Sequence, residues 1–169
     1  EDRVLSVLEE ALEARIIDEL PSAIGSYQFS HALIRETLAG EISLTRQARL
    51  HARIAEGLED LYGRSADEHA GQLAHHYAEA GTNLDRLVHY SLVAGQQALD
   101  TYAFEDAVEI FERALEASDS NSMTDDLAAL HAGLGASDAA LLHTDEALTH
   151  IETAFDYYAK SGQTRLAAA

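Results

Sequence analysis

The 169-residue sequence has no cysteine and a single proline. Without cysteine the chain cannot form a disulfide framework, a thiolate nucleophile or a cysteine-based zinc site. This lack of thiol chemistry fits a cytoplasmic protein, and we expect that location. No segment approaches the roughly 18 consecutive apolar residues of a membrane span, so we expect no membrane partner.

Basic residues are also scarce. Eleven lysines and arginines stand against 30 acids, which gives a formal net charge of −19. A surface of that charge repels a phosphate backbone, so we expect no direct contact with nucleic acid. A DNA-binding role therefore ranks last among the functions that we consider.

The sequence has no nucleotide-binding loop. The pattern G-x-x-x-x-G-K-[ST] does not occur, and the sole lysine, Lys160, follows no glycine-rich turn. Acid pairs such as Asp125-Asp126 stand at predicted helix starts, where they stabilise the helix dipole. We therefore expect that this chain is not an enzyme, that it has no catalytic residue and that it binds no cofactor itself.

Nine histidines raise the question of a metal site. His69 and His76 share a helix face at a spacing of seven, whereas helical metal pairs are spaced by three or four. The positions that would pair with His69 hold Gln72 and Leu73. From this we expect no metal site.

What the sequence does contain is alanine and leucine, both strong helix formers. The periodicity predicts helices over residues 4–14, 32–41, 44–62, 65–80, 84–102 and 104–117, with two more after Thr124 and Thr144. The predicted N-caps are Ser43, Asn83, Thr124 and Thr144. Ser65 and Glu68 are predicted to form a capping box, and Gly81 is predicted to end a helix. A turn at residues 21–25 between short apolar segments predicts one β-hairpin, ending with Tyr27 and Phe29. The predicted fold is all-α with a small N-terminal β-hairpin.

The helical part contains an internal repeat. Four pairs of residues match at one spacing of 40: Gly95 with Gly135, Ala107 with Ala147, Phe111 with Ile151, and Ala114 with Ala154. A glycine in the first helix allows close approach of the second, whose alanines and one bulky residue fill the groove between them. The pattern resembles the tetratricopeptide (TPR) motif over residues 84–160, which implies a TPR-like solenoid of helical hairpins. A looser third copy has Ala70, Ala74 and Tyr77.

In TPR proteins the first helix of each pair lines a concave groove. By this resemblance a partner-binding groove would be lined by His89, Leu92, Gln96, Leu99 and Asp100, followed by Ala129, Ala132 and Ala136 of the next repeat. The alternative is that these residues are merely exposed or pack against neighbouring helices.

A second resemblance lies in residues 27–81. The residues that carry it are Phe29-Ser30-His31, Arg35-Glu36, Leu38, Arg46, Arg49, Leu50, His51 and the segment ADEHAGQLAHHYAEAG at 66–81. This pattern is similar to the stretch that joins the winged-helix region of STAND-type signalling ATPases to their helical repeats. The most similar members are regulators coupled to a LuxR-type DNA-binding domain or to a class III nucleotide cyclase.

The resemblance implies three segments: the end of a winged-helix unit at 1–42, a linking helical hairpin at 43–82, and TPR-like repeats at 83–169. The absence of Met before Glu1, and a helix that looks newly begun at residues 165–169, also lead us to expect a fragment of a larger protein.

In that family a histidine at the position of His31 contacts the phosphate of a bound nucleotide. The nucleotide and its magnesium ion are held by the ATPase domain. The alternative is that His31 caps the helix beginning at Ala32. The implied partners are the ATPase domain of the same chain and a protein or small-molecule signal. The rival function is a stand-alone TPR-like adaptor between proteins.

Overall fold

A computed structural model describes residues 2–21, 24–118 and 123–163. These residues form eight α-helices, one 3-10 helix and a two-stranded antiparallel sheet, so the mostly helical fold with one small hairpin is confirmed. The chain divides into two compact units, Glu1–Arg46 and Gln47–Ala169. The segment boundaries after residues 42 and 82 that the resemblance implies stay predictions. The predicted helix start at 165–169 lies outside the described residues.

The first unit contains helix α1 (Asp2–Glu13), strands β1 (Ile17–Glu19) and β2 (Tyr27–Phe29), and helix α2 (Ala32–Gly40). The strands pair with Ile17 opposite Phe29 and Glu19 opposite Tyr27, which is the predicted hairpin. Two residues of the predicted turn, 22 and 23, lie outside the described part of the chain.

A left-handed residue and one hydroxyl group fix the start of the hairpin. Arg15 has a φ of 55° and ends the helical path after α1. The Ser30 hydroxyl, just after β2, donates a 2.9 Å hydrogen bond to the carbonyl oxygen of Arg15. The Ser30 amide also donates to the carbonyl of Ile16. These bonds hold the end of β2 beside the residues that lead into β1.

The apolar stripe of α1 is largely uncovered. Val4 is 63% exposed and Leu5 is 55% exposed, whereas Leu8 and Leu12 are half-buried. Ile17 is the buried hydrophobic residue among those described in this unit. The amphipathic pattern predicted the helix correctly, but the hairpin covers only part of its apolar face.

The second unit is built from a row of helices. Helix α3 (Leu44–Tyr62) begins at the end of the first unit and leads through the 3-10 helix Gly63–His69 into α4 (Ala70–Ala80). The remaining helices are α5 (Leu84–Asp100), α6 (Phe104–Ala117), α7 (Asp125–Ala140) and α8 (Thr144–Lys160). From α4 onward each helix contacts the next, and α5 also contacts α7.

Side-chain pairs show that α7 and α8 run antiparallel. Tyr157 donates to Asp125, His131 lies beside His150, and His143 lies beside Asp138. The residue numbers rise on one helix as they fall on the other, as required by the three-residue connection between them.

Some predicted helix ends match the structure. Gly81 has a φ of 60° at the end of α4, and the Thr124 hydroxyl accepts a 3.3 Å hydrogen bond from the amide of Leu127. The Ser65 capping box is wrong: the Ser65 hydroxyl donates to the carbonyl of Tyr62, and α4 begins only at Ala70. The 3-10 turns satisfy the backbone there without a capping box.

Two other predicted caps also need correction. Asn83 precedes α5, but its φ of 56° leaves it without a side-chain capping bond. The N-cap of α8 is His143, because Thr144 is already the first helical residue. The helix predicted to end at residue 102 stops at Asp100, and Tyr102 adopts a left-handed φ of 62°.

The core of the second unit forms three clusters between successive helices. Tyr77 and Leu73 lie in the first, Phe111 and Leu130 in the second, and Ala154 and Tyr158 in the third. Among the described helices, none has both the length and the apolar character needed to cross a membrane.

Candidate functional site

The ring of Phe111 on α6 lies between glycines of α5 and α7. A Cβ atom built on Gly95 would lie 2.2 Å from Cε1 of Phe111, and one on Gly133 would lie 2.5 Å from its Cζ. Real Cβ atoms do not approach other atoms this closely, so neither position has room for a side chain. One aromatic ring therefore sets the approach of three consecutive helices.

The same relation recurs 40 residues later. A Cβ on Gly135 would lie 2.6 Å from Cγ1 of Ile151 and 3.3 Å from the carbonyl oxygen of Ala147. Ile151 is nevertheless 44% exposed, whereas Phe111 is 2% exposed. The difference arises because α7 covers Phe111, and no described helix covers Ile151 in the same way.

The alanines assigned to repeat packing are buried. They are Ala107, Ala114, Ala147 and Ala154, none more than 4% exposed. The residues of the looser third copy, Ala70, Ala74 and Tyr77, are also buried, at 5% exposure or less. The structure thus places all of these positions in helix contacts.

The residues assigned to a partner-binding groove separate into two groups. Gln96 and Asp100 are exposed, and the Gln96 amide donates a 2.8 Å hydrogen bond to Asp100. His89 is exposed as well, with Nε2 3.1 Å from Asp67. Leu92 and Leu99 instead pack against the second core cluster and are half-buried.

In the next repeat, Ala132 and Ala136 are exposed, whereas Ala129 is half-buried. Ala132 and Ala136 border a cavity of about 870 Å³ between α7 and α8. Its lining residues include the apolar side chains of Ile151 and Phe155 and the acidic residues Glu152 and Asp156. This volume is in the range of small-molecule sites, but the cavity is partly open to solvent.

His31 stands at the start of α2. Its backbone is extended, with φ −140° and ψ 134°, and its carbonyl accepts hydrogen bonds from the amides of Ile34 and Arg35. Its side chain is exposed and makes no capping hydrogen bond. The alternative that the His31 side chain caps the helix is therefore not what the structure has.

Three histidines meet where α3 faces α4. Nδ1 of His76 lies 3.1 Å from Nδ1 of His51, and His75 completes a group whose nitrogen atoms all lie within 4.8 Å of one another. His51 and His76 are half-buried and His75 is exposed. Burial and the two neighbouring histidines lower the pKa of His76.

An arginine from a third helix reaches this cluster. Nη1 of Arg113 on α6 lies 3.4 Å from Nδ1 of His75, while its Nη2 lies 3.6 Å from the carboxylate of Glu109. A guanidinium group only donates, so Nδ1 of His75 accepts in this contact.

A carboxylate on α3 is the centre of a second polar network. Glu59 accepts 2.5 Å hydrogen bonds from the hydroxyls of Tyr77 and Tyr90, and Nη1 of Arg86 lies 3.1 Å away. Burial acts to raise the pKa of Glu59, but the two hydroxyls and the Arg86 charge lower it overall. Burial and the bond to Glu59 raise the pKa of Tyr90 to about 12 and also raise that of Tyr77. The network joins α3, α4 and α5.

A second histidine pair lies between α7 and α8. The Nδ1 atoms of His131 and His150 are 2.9 Å apart, and the two rings stack with centroids separated by 5.1 Å. Burial and the neighbouring His150 lower the pKa of His131.

Sequence reasoning missed all three of these polar clusters. Helical spacing identifies metal ligands only within one helix, whereas His51 is 25 residues from His76 and lies on another helix. His51 is one of the residues of the N-terminal pattern, but its spacing does not indicate that His75 or His76 lies beside it.

Comparisons with protein-family models, with curated proteins and with solved structures find no match to this chain.

Proposed function

We propose that this chain is a non-catalytic sensor and interaction module of a STAND-type signalling ATPase regulator. Its TPR-like helices receive a protein or small-molecule signal, and its N-terminal unit passes that signal to the ATPase domain of the same protein. ATP or ADP and magnesium belong to that ATPase domain.

The packing of Phe111 is the observation that carries the interaction role. One ring wedged between Gly95 and Gly133 holds α5 and α7 side by side, as the first helices of neighbouring TPR hairpins are held. Side-by-side first helices would present a continuous surface, and Gln96, Asp100 and Ala136 are exposed residues of these two helices. That surface suits a peptide or a small polar ligand.

Two features of the first unit support the link to an ATPase. The β-hairpin followed directly by α2 has the order of a wing and its closing helix, with the exposed His31 at the junction. The uncovered apolar stripe of α1, including Val4 and Leu5, suits a helix that packs against further helices of a winged-helix unit.

The reading frame that encodes the chain provides the first test. We expect it to encode a G-x-x-x-x-G-K-[ST] motif upstream of Glu1. A frame without this motif would refute the ATPase link and leave a stand-alone TPR-like adaptor as the function.

The second test uses the full-length protein. We expect it to purify with bound ADP, and we expect His31→Ala to reduce the amount of ADP retained. Gln28→Ala, an exposed change on the preceding strand β2, is the matched control and should retain the nucleotide. Equal retention by all three proteins would contradict the role of His31.

The third test addresses the groove in the full-length protein. A photo-crosslinking amino acid at position 96 should give a discrete crosslinked product in cells, whereas the same amino acid at the exposed position 112 on α6 should not. Asp100→Arg should abolish the product, and Glu112→Arg, which changes the charge equally, should not. Products of equal yield from both positions would contradict the assignment of this face.

A further inference from the structure

Three imidazole rings meet at the contact between α3 and α4. His51 comes from the first of these helices, and His75 and His76 come from the second. Their ring centroids are 5.1 to 5.8 Å apart. Packing of apolar side chains does not require polar rings at all three positions, so the cluster is a candidate for binding chemistry rather than for core packing.

The distances suit a metal ion. Ligand nitrogens around a tetrahedral zinc ion, at about 2.0–2.1 Å from the metal, are separated by about 3.4 Å. His51 and His76 already place their Nδ1 atoms 3.1 Å apart, and the third nitrogen lies within 4.8 Å. His75 is exposed, so its ring can rotate and bring its nitrogen closer to the other two without displacing core residues.

The donor set determines the class of metal. Neutral imidazole nitrogens bind zinc and the neighbouring divalent transition metals, whereas magnesium and calcium prefer oxygen ligands. Three histidines leave a fourth position for water or for a ligand from a partner. The net charge of −19 further favours the approach of a cation.

We propose that His51, His75 and His76 bind a divalent transition-metal ion of the zinc class and thereby tether α3 to α4. The site lies outside the groove residues, and the inference stands whether or not the proposed function holds.

Arg113 regulates access to the third ligand. Its guanidinium occupies Nδ1 of His75 at 3.4 Å, and a neutral ring that accepts at Nδ1 carries its proton on Nε2. Metal binding therefore requires Arg113 to leave, and its contact with Glu109 offers a position nearby. We expect Arg113→Gln to bind the metal more tightly than the unchanged chain.

The experiment uses the 169-residue chain without a histidine tag, freed of metal by a chelator. Zinc is titrated in competition with a chromophoric chelator, and cobalt(II) is added separately because a four-coordinate cobalt site absorbs strongly in visible light. We expect one zinc ion bound through the cluster, a four-coordinate cobalt spectrum, and a zinc-dependent rise in melting temperature. Magnesium and calcium should produce no such rise.

His75→Gln and His51→Gln are the test variants, and His143→Gln is the matched control at another exposed histidine. Because His75 is exposed, its replacement should leave the helical circular dichroism spectrum unchanged. We expect both test variants to lose at least about tenfold in zinc affinity and to lose the cobalt spectrum, while the control keeps both.

Two results would overturn the proposal. One is zinc affinity in His75→Gln and His51→Gln equal to that of the unchanged chain, especially if His131→Gln abolishes binding, since the ion would then lie between α7 and α8. The other is weaker binding by Arg113→Gln, which would mean that Arg113 supports the site rather than competing for His75.

Discussion

Gly95 lies against the ring of Phe111 so closely that a Cβ atom would stand 2.2 Å from Cε1. Both sides of this contact are fixed, because the ring is 2% exposed and also meets Gly133. We expect Gly95→Ala to lower the free energy of unfolding by about 1–3 kcal/mol through overpacking. Chemical denaturation followed by circular dichroism measures the change.

The matched control is Gly71→Ala on α4, where a Cβ would meet no atom within 4 Å. That substitution should be neutral or should stabilise the chain by up to about 1 kcal/mol, since alanine is the better helix former. Equal destabilisation by both substitutions would show that helix geometry, and not the Phe111 contact, sets the cost.

Phe111 and Ile151 occupy equivalent repeat positions but should differ in their contributions. Phe111→Ala removes a fully buried ring and should cost about 3–5 kcal/mol. Ile151 is 44% exposed, so Ile151→Ala should cost only about 1–2 kcal/mol. The two free energies of unfolding, measured under the same conditions, test this order. A larger loss at position 151 would mean that another part of the chain covers it in solution.

Glu59 should stabilise the joint between α3, α4 and α5. Glu59→Ala leaves the buried hydroxyls of Tyr77 and Tyr90 without their acceptor and should cost about 1–3 kcal/mol. Glu56→Ala, an exposed change on the same helix, should cost much less. Equal melting temperatures for the two variants would show that the network does not stabilise the fold.

The same network should be visible in the titration of tyrosine. Burial and the bond to Glu59 raise the pKa of Tyr90 to about 12, above the usual value of about 10, and raise that of Tyr77 as well. Ultraviolet absorbance of the folded chain should therefore show these two phenols ionising at a higher pH than an ordinary tyrosine. In Glu59→Gln they should ionise at lower pH, because the negative charge that opposes phenolate formation is gone.

The pair of His131 and His150 should make stability depend on pH. Burial and the neighbouring His150 lower the pKa of His131 below the usual histidine value of about 6.5, so the unfolded chain binds a proton more readily than the folded chain does. The contribution of His131 to stability is thus complete above pH 6.5 and is lost as the pH falls from there toward its folded pKa.

Melting temperatures between neutral pH and mildly acidic pH test this sign. They should fall less steeply in His131→Gln than in the unchanged chain, whereas the exposed control His89→Gln should keep the steep fall. A steeper fall in His131→Gln would reverse the assigned direction.

Several features of the fold follow from the sequence because their causes are local. Alanine- and leucine-rich periodicity predicted the helices, and the spacing of 40 paired Gly95 with Gly135 and Phe111 with Ile151. Helix propensity and the 3.6-residue period act within a few turns of the chain, so a sequence displays them directly. The turn and alternating residues that predicted the β-hairpin are local in the same sense.

Only the tertiary structure decided which side chains meet across helices. Gly133 meets Phe111 because α6 crosses α7, a contact between neighbouring repeats that the match of Gly95 to Gly135 does not include. His51 reaches His76, and Glu59 reaches Tyr77 and Tyr90, from 18 to 31 residues away. These contacts depend on the spacing and crossing angles of whole helices. Many side chains together determine that packing, so no short sequence pattern encodes it.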